Sequence, residues 1–316
     1  MNKIHNRQAV CETLLALAEN DRDIVVLCSD SRGSASMGPF AEKYPERFVE
    51  TGIAEQNIVG IAAGLAACGK KPFVASPASF LTMRSAEQIK LDIAYSQMNV
   101  KLIGISAGIS YGALGMSHHS LQDIALLRSV PGIMISVPAD RHEARCMTEA
   151  LLNHTGPAYM RLGRNPVEDV YPSQDYDFKL GRAMTMRHGN AISVITFGET
   201  VRIALDAAEL MSARGIDCRV INMHTLKPLD TECIIKAAKE TGAILTIEEH
   251  SVLSGFGAAV AETVVQNKPV PMKIMGIPDE PAIPGKTGEV FEHYGIGPEN
   301  LCREAERLIN MKEGGR

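Results

Sequence analysis

The stretch from Arg47 to Phe80 holds an acid and an aromatic residue that could act on one ligand. Glu55 lies in the run GIAEQN, where an exposed-looking turn leads into an apolar helix. Phe80 lies in the turn that follows an apolar strand, Pro72 to Ala75. An acid and an aromatic on adjacent turns suit a flat, nitrogen-rich ring, because the acid can bond the ring edge while the aromatic covers a face. From the residues alone, the alternative is a helix-start carboxylate that opposes the helix dipole, together with a core phenylalanine.

Two adjacent histidines, His118 and His119, end a glycine-rich loop, AGISYGALGMSHHS. A histidine titrates near neutral pH and can both donate and accept a hydrogen bond. Neighbouring histidines can also begin a metal site, but no third ligand lies at a suitable spacing, so we predict no metal site in this chain. A histidine in a surface turn remains the alternative, above all for His119.

The composition is that of an ordinary globular protein. The chain has 316 residues, of which 45% are hydrophobic and 22% charged, with a net charge of −5 and no basic block. This length predicts about two domains. The charge makes nucleic acid an improbable partner.

Several features predict a cytoplasmic protein with no membrane association. The odd count of seven cysteines includes no CxxC pair, which is typical of reduced thiols. The N-terminal run MNKIHNRQAV lacks the apolar centre of a signal peptide. The longest apolar run, Ile58 to Cys68, is too short to span a bilayer.

Strand and helix patterns alternate along the chain, which predicts an α/β fold with two α/β domains and mainly parallel sheets. The polar, proline-containing run GRNPVEDVYPSQDYDF predicts a linker. We therefore expect a first domain over 1–170, a linker over 171–189 and a second domain over 190–316.

Five local expectations can be compared directly with a structure. The patterns predict helices over Ile58–Cys68 and Thr82–Gln97, and one continuous strand in CRVINMHTLKP. Asp140 is expected to cap the helix that follows PAD. The run TIEEHSVLSGFG predicts a strand and a glycine-rich helix start, which could bind an anion or serve a structural role.

Several motifs in one register resemble the transketolase family. RFVETGIAEQN, GKKPFVASPASF, the SHH loop with DIALLRSVPGIMISVPAD, and GPAYMRLGR occur in the order found in its pyrimidine-binding domain. SVITFGETVRIALDAAELM through TIEEHSVLSGFG resembles that family's C-terminal domain. The resemblance covers nearly the whole chain and implies a thiamine diphosphate (ThDP) pyrimidine-binding fold followed by the transketolase C-terminal domain.

The resemblance assigns cofactor contacts to four residues. The acid matching Glu55 bonds the aminopyrimidine ring and favours the imino tautomer, whose nitrogen removes a proton from the thiazolium carbon. Phe80 matches the aromatic residue that stacks on the pyrimidine. Asp30 matches a position in a loop near the cofactor, although an Asx turn is a strong alternative. Arg84 is a weaker cofactor-side candidate.

The resemblance assigns substrate contacts to six residues. His118 matches a loop histidine that contacts the donor sugar, while His119 stands where the family often has Gln. Arginine suits bidentate recognition of phosphate or sulfonate, although a surface or salt-bridging arginine is the alternative. The candidates for the substrate contacts are His118, His119, Arg7, Arg161, Arg164 and Ser34.

One position departs from the family pattern. Leu114 stands four residues before His118, where the family has an Asp that helps to recognise a substrate hydroxyl. An isobutyl group accepts no hydrogen bond, so we expect a sugar or acceptor different from that of the common pentose-phosphate enzyme.

The chain also lacks the parts that complete a family active site. Full-length members carry a GDG motif that holds the cofactor diphosphate through Mg²⁺ or a similar divalent metal, and no GDG occurs here. The chain therefore looks like the C-terminal subunit of a split transketolase, which transfers a two-carbon ketol unit between phosphosugars or related anionic sugars. We expect it to be inactive alone and to need a GDG-containing N-terminal subunit, in a heterotetramer with two copies of each subunit.

Three alternatives remain at this point. The glutamate motif also resembles 1-deoxyxylulose-5-phosphate synthase, and the domain plan resembles the beta subunit of 2-oxo acid dehydrogenases. A non-catalytic binding protein could keep the same fold.

Overall fold

Three sheets organise the part of the chain that the structure describes. The structure is a computed structural model that describes residues 4–314. Its strands are β1 Ile4–His5, β2 Ile24–Cys28, β3 Phe48–Glu50, β4 Lys71–Pro77, β5 Lys101–Ile105, β6 Met134–Ser136, β7 Ala158–Arg161, β8 Pro166–Val167, β9 Met184–Arg187, β10 Ile192–Thr196, β11 Cys218–Asn222, β12 Thr225–Lys227, β13 Ile244–Ser251 and β14 Met272–Ile277.

Helices cover the sheets. The α-helices are α1 Asn6–Asn20, α2 Gly38–Lys43, α3 Glu55–Ala67, α4 Ala78–Met83, α5 Ala86–Gln88, α6 Asp123–Ser129, α7 Arg141–Asn153, α8 Thr200–Ala213, α9 Thr231–Thr241, α10 Phe256–Asn267, α11 Thr287–His293 and α12 Pro298–Gly314. Within residues 4–314, no helix combines the length and apolar character that a membrane crossing needs.

The first sheet has seven strands in the order β12-β6-β7-β5-β4-β2-β3, and the second has five in the order β14-β13-β10-β11-β9. Neighbouring strands are parallel except at β12–β6 and β11–β9, and the small β1–β8 pair is antiparallel. The central strands β2, β5 and β10 are buried along their whole length, as expected for parallel strands with both faces covered. The prediction of an α/β fold with mainly parallel sheets is confirmed.

A strand of the second domain joins the sheet of the first domain, an arrangement that the sequence analysis did not predict. CRVINMHTLKP, predicted as one strand, divides into β11 and β12, which lie in different sheets. Strand β12 therefore extends the first sheet by pairing with β6. The segment 171–189, predicted as a linker, also contains β9, which pairs with β11. An apolar core runs across the junction, where Tyr159 and Phe197 belong to one cluster.

Two buried carboxylates fasten the segment between the domains. Asp140 caps α7 by accepting hydrogen bonds from the backbone of residues 142 and 143, as predicted, and its other oxygen accepts bonds from Val170 and Tyr171. Glu143 accepts bonds from the Tyr171 hydroxyl at 3.1 Å and the Asn222 amide at 3.0 Å. The chain is thus anchored to both domains as it passes between them.

The predicted helix over Thr82–Gln97 was wrong in its continuity. Helix α4 begins earlier, at Ala78, and a break at Arg84 and Ser85 separates it from α5. The following turns, Ile89–Tyr95, adopt the wider π-helical form. Arg84 still has helical backbone angles and donates its amide to the Phe80 carbonyl, so its side chain lies on the same face as Phe80 and reaches over that ring.

Candidate active site

The segments predicted to form the site follow strands that run parallel to one another. Strands β2, β3, β4, β5 and β7 are parallel neighbours in the first sheet, so their carboxyl ends lie along one edge. Ser34, Glu55, Phe80, His118 and Arg164 occupy the loops and helix starts that come after these five ends. In open parallel sheets, this edge is where ligands bind.

Glu55 is the first residue of α3 and is almost fully buried, with 2% of its side chain exposed. Its Oε2 accepts a hydrogen bond from Arg84 Nη1 at 2.5 Å. The Arg84 guanidinium also lies over the Phe80 ring, with 4.8 Å between Cζ and the ring centroid. A flat, nitrogen-rich cation therefore makes both contacts that the sequence assigned to a ring, at its edge and at its face.

Three rings continue from this pair toward the arginines. The His118 ring packs edge-on against Phe80 at 5.2 Å between centroids and against Tyr111 at 5.3 Å. The Arg164 guanidinium lies 5.0 Å from the Tyr111 centroid. Such aromatic and cation–π contacts fix the relative orientation of the groups. We call the contact series Glu55, Arg84, Phe80, His118, Tyr111, Arg164, Arg7 the site row.

The far end of the site row holds two arginines close together. Arg7 Nη1 donates to the Ser34 carbonyl at 2.6 Å, while its buried Nε has no hydrogen-bond partner. Burial and the charge of Arg164 both lower the Arg7 pKa, as expected for neighbouring cations. Within residues 4–314, no carboxylate forms an ion pair with either arginine. This pair can receive an anion.

The fold brings these two arginines together through its smallest sheet. Strand β1 pairs with β8, so the start of α1 lies against the segment after β7. His5 Nδ1 bonds the Arg164 carbonyl at 2.8 Å. Residues 159 positions apart therefore meet at the same edge, a pairing that the sequence did not reveal.

Asp30 lies two residues after β2 and is exposed, with its backbone in the left-handed region at φ 53°. Its amide donates to Glu50 Oε1 at 2.7 Å. This places Asp30 at the same sheet edge, but among the described residues its side chain forms no hydrogen bond or ion pair with the site row. Its cofactor role stays a prediction.

Arg161 lies outside the site row, and its predicted substrate contact stays a prediction. Its side chain is 3% exposed and its Nε donates to Asp123 Oδ2 at 2.9 Å. Its Nη2 donates to the carbonyls of Ser120 and Glu249. Since these acceptors occupy it in the interior, Arg161 is a structural residue in this chain.

His119 is also directed inward, and its predicted substrate contact stays a prediction. It is 4% exposed, and its Nε2 bonds the Gly112 carbonyl at 3.0 Å. Burial lowers the His119 pKa, because the charged imidazolium is disfavoured there. The residue closes the base of the loop rather than facing a ligand.

At the helix start after TIEEH, a carboxylate of the same chain accepts the hydrogen bonds of the backbone amides. Glu248 Oε2 accepts from Phe256 N at 2.7 Å and Oε1 accepts from Gly257 N at 2.9 Å. This carboxylate takes the place that an external anion could occupy at the start of α10. Of the two readings of this motif, the structural role fits the geometry.

Sequence reasoning missed Tyr111, the residue that joins His118 to Arg164. The only local signal was an aromatic residue inside a glycine-rich loop, and that pattern gives no direction for the ring. Within residues 4–314, no group of three or more His, Cys, Asp or Glu side chains is arranged to hold a metal ion.

Large apolar side chains are exposed in the segments that carry the site row. Ile53 is 73% exposed, and Met83, Leu114 and Met116 are each more than half exposed. They lie in the same three segments as Glu55, Arg84 and His118. Apolar groups that cluster around a site in this way are typical of an interaction surface.

Family models account for most of the chain. Residues 2–168 match the transketolase pyrimidine-binding domain, and residues 181–301 match the transketolase C-terminal domain. The chain belongs to the transketolase family. Enzymes of this family depend on thiamine diphosphate.

Two relatives of this transketolase-family chain have similar length. It is 49% identical over 308 residues to a subunit of the apulose-4-phosphate transketolase of Phocaeicola vulgatus, covering 98% of each chain. It is 36% identical over 306 residues to the 6-deoxy-6-sulfo-D-fructose transketolase subunit SqwH of a Clostridium species, covering 97% of this chain and 95% of that one. Both relatives are named as subunits.

A solved structure is similar over its whole length. It is described as a split gene transketolase in an inactive beta4 tetramer, and it superposes with a TM-score of 0.90 at 36% identity. The match covers 98% of this chain and 99% of that one. The chain is therefore similar to the C-terminal subunit of split transketolases, as its motifs predicted.

Proposed function

We propose that this chain is the C-terminal subunit of a ThDP-dependent transketolase that transfers a two-carbon ketol unit between phosphosugars or related anionic sugars. The observation that carries the proposal is the site row, which has a buried carboxylate at one end and, at the other, two arginines that form no ion pair with a carboxylate of residues 4–314. Such a row suits an elongated anionic ligand next to a flat nitrogenous ring.

The residues present fit the pyrimidine half of the cofactor. The Arg84 guanidinium already donates an N–H group to the Glu55 carboxylate. The same flat cation lies over the Phe80 ring. An aminopyrimidine offers the same two features, an N–H edge and a planar face. Glu55 and Phe80 would hold that ring, with Arg84 moving aside.

Each residue of the row has a distinct task in the proposal. Thiamine diphosphate, when bound, supplies the carbon nucleophile and the electron sink of ketol transfer. Glu55 would accept a hydrogen bond from the proton-bearing ring nitrogen at its buried oxygen and so would hold the tautomer that reacts. His118 bonds the donor's carbonyl or hydroxyl region. Its Nδ1 lies 3.0 Å from Ser117 Oγ, a contact that orients the imidazole.

Arg7 and Arg164 bind the anionic end of the sugar. The unpartnered Nε of Arg7 is a donor that a phosphate or sulfonate oxygen can satisfy. Leu114 is 53% exposed on the loop between Tyr111 and His118. Its isobutyl group offers no acceptor to a substrate hydroxyl, which favours a sugar other than the usual pentose phosphates.

A partner subunit completes the site in this proposal. That subunit, with a GDG motif, binds Mg²⁺ or a similar metal and the cofactor diphosphate, and two copies of each subunit assemble as a heterotetramer. The exposed Ile53, Met83, Leu114 and Met116 support an interface beside the site row. All seven cysteines are free thiols, which supports assembly in the cytoplasm.

Reconstitution tests the proposal. The chain is purified alone and together with a co-expressed GDG-containing partner, and ketol transfer is measured with ThDP, Mg²⁺ and phosphorylated or sulfonated ketoses. We expect transfer only from the pair. Transfer by the chain alone would contradict the two-subunit assignment, and release of carbon dioxide from pyruvate by the pair would favour a related ThDP reaction instead.

A further inference from the structure

The loop that carries Tyr111 and His118 is closed at its base. Gly108 and Ser120 exchange two backbone hydrogen bonds, of 3.0 Å from Gly108 N and 2.8 Å from Ser120 N. Residues 109–119 therefore form a closed loop that follows β5. The orientation of the Tyr111 and His118 rings therefore depends on what holds that base.

A carboxylate of the second domain holds the base of the loop. Glu249, in β13, accepts a hydrogen bond from the Ile109 amide at 2.8 Å. The loop backbone packs directly on this group, since a Cβ added to Gly108 would lie 2.3 Å from Glu249 Oε1. Gly108 also has φ +63°, a conformation that glycine adopts without strain.

Arg161 donates hydrogen bonds on the other side of the same loop base. Its Nη2 donates to the carbonyl of Ser120 at 3.2 Å and to that of Glu249 at 2.9 Å. The Ser251 amide donates to the Leu121 carbonyl at 3.1 Å. Strand β13 thus fixes both ends of the loop, although it lies in the other sheet.

We infer that Glu249 is a positioning residue, which holds the Tyr111–His118 loop in the orientation that presents His118 to the sugar. The inference rests on the proposed function only in assigning the sugar contact to His118. This role links the second domain to the site, although the strands of that domain contribute no residue to the site row.

The environment of Glu249 predicts which substitutions it tolerates. Burial raises the Glu249 pKa to about 7, with Arg161 opposing the shift and Asp123 adding to it. A neutral group that still accepts a hydrogen bond is therefore a close substitute near neutral pH. Glu249→Gln keeps an acceptor for the Ile109 amide, Glu249→Asp keeps the charge but shortens the reach, and Glu249→Ala keeps neither.

The neighbouring residue provides a matched control. Glu248 is also fully buried in β13, but its carboxylate caps α10 through Phe256 and Gly257. Glu248→Ala therefore removes a similarly buried acid whose two backbone hydrogen bonds go to α10 and not to the loop. A general loss of stability affects both variants, whereas a loss of loop position affects only the Glu249 series.

Hydrogen exchange by mass spectrometry on the purified full chain tests the inference without any activity. We expect Glu249→Ala to speed amide exchange in residues 108–119 about tenfold, the effect of losing one buried hydrogen bond. Glu249→Gln should stay near wild type, and Glu248→Ala should speed exchange at the start of α10 instead. Unchanged exchange in the loop, or equal acceleration by Glu248→Ala, overturns the inference.

Kinetics of the reconstituted pair give the second readout. We expect Glu249→Ala to raise the KM for the donor about tenfold while the ThDP dissociation constant stays within about twofold. If Glu249→Ala does not fold, Glu249→Asp against Glu249→Gln gives the same comparison, with Asp the weaker variant. If no pair transfers ketol units, the proposed function fails while the exchange experiment still decides the role of Glu249.

Discussion

Arg161 and Arg164 lie three residues apart and have opposite surroundings. Arg161 is buried and donates to Asp123 and to two carbonyls of the core. Arg164 lies over the Tyr111 ring, beside a second unpaired arginine. The same side chain thus serves as a structural tie in one place and as a candidate anion-binding group in the other.

The difference extends to the regions around them. At the domain junction, Asp123 Oδ2 accepts hydrogen bonds from Arg161 and the Tyr159 hydroxyl, and its Oδ1 lies 3.7 Å from His250 Nε2. In the site row, the buried Nε of Arg7 has no hydrogen-bond partner within residues 4–314, and exposed apolar side chains lie in the neighbouring segments. The arginine of the junction is thus held by an acid and two carbonyls of the interior, whereas the arginines of the site row keep capacity to bind a ligand.

The largest expected effect is at the buried end of the site row. Glu55→Gln keeps the size of the side chain and removes its charge, so we expect kcat of the reconstituted enzyme to fall about 10³-fold. The measurement is ketol transfer at saturating cofactor. Substantial remaining activity in the assembled enzyme refutes the role of Glu55.

Arg161→Met tests the structural side of the comparison. Removing the partner of buried Asp123 should lower the free energy of unfolding by about 3–5 kcal/mol. Urea denaturation of the chain alone measures this, because no activity is needed. A loss below about 1 kcal/mol shows that the junction does not depend on the pair.

Arg164→Met tests the ligand side. We expect the free energy of unfolding to change by less than about 0.5 kcal/mol, as for other replacements without a buried partner. The KM for an anionic donor should rise by roughly ten- to a hundredfold, since one charge-assisted contact is lost. Equal loss with an uncharged ketose as donor argues against anion recognition.

The smallest effect is expected at Arg84. Its guanidinium occupies the edge of Glu55 and the face of Phe80, and 45% of the side chain is exposed. Replacing it in Arg84→Gln should tighten ThDP binding by about two- to fivefold, the value of a partly exposed ion pair. Isothermal titration of the reconstituted pair measures this, and weaker binding indicates that Arg84 supports the cofactor instead.

Much of the fold and part of the site follow from near neighbours in the sequence. Alternating patterns gave the α/β class, and Glu55 was expected near the start of a helix, which it opens as the first residue of α3. Asp140 was predicted as a cap because its side chain reaches amides only two and three residues away. The candidates that follow β2 to β5 share one edge because parallel strands end on the same side.

The sequence by itself determined the elements, the order of the motifs and the residue types at the sheet edge. Only the tertiary structure decided that Arg161 is buried while Arg164 lies at the site row, that β12 joins the first sheet, and that Glu249 meets Ile109. The reason is physical: propensity and periodicity depend on residues a few positions apart. Burial and hydrogen-bond partnership depend on contacts between residues that are far apart in the chain, such as the 140 positions that separate Ile109 from Glu249.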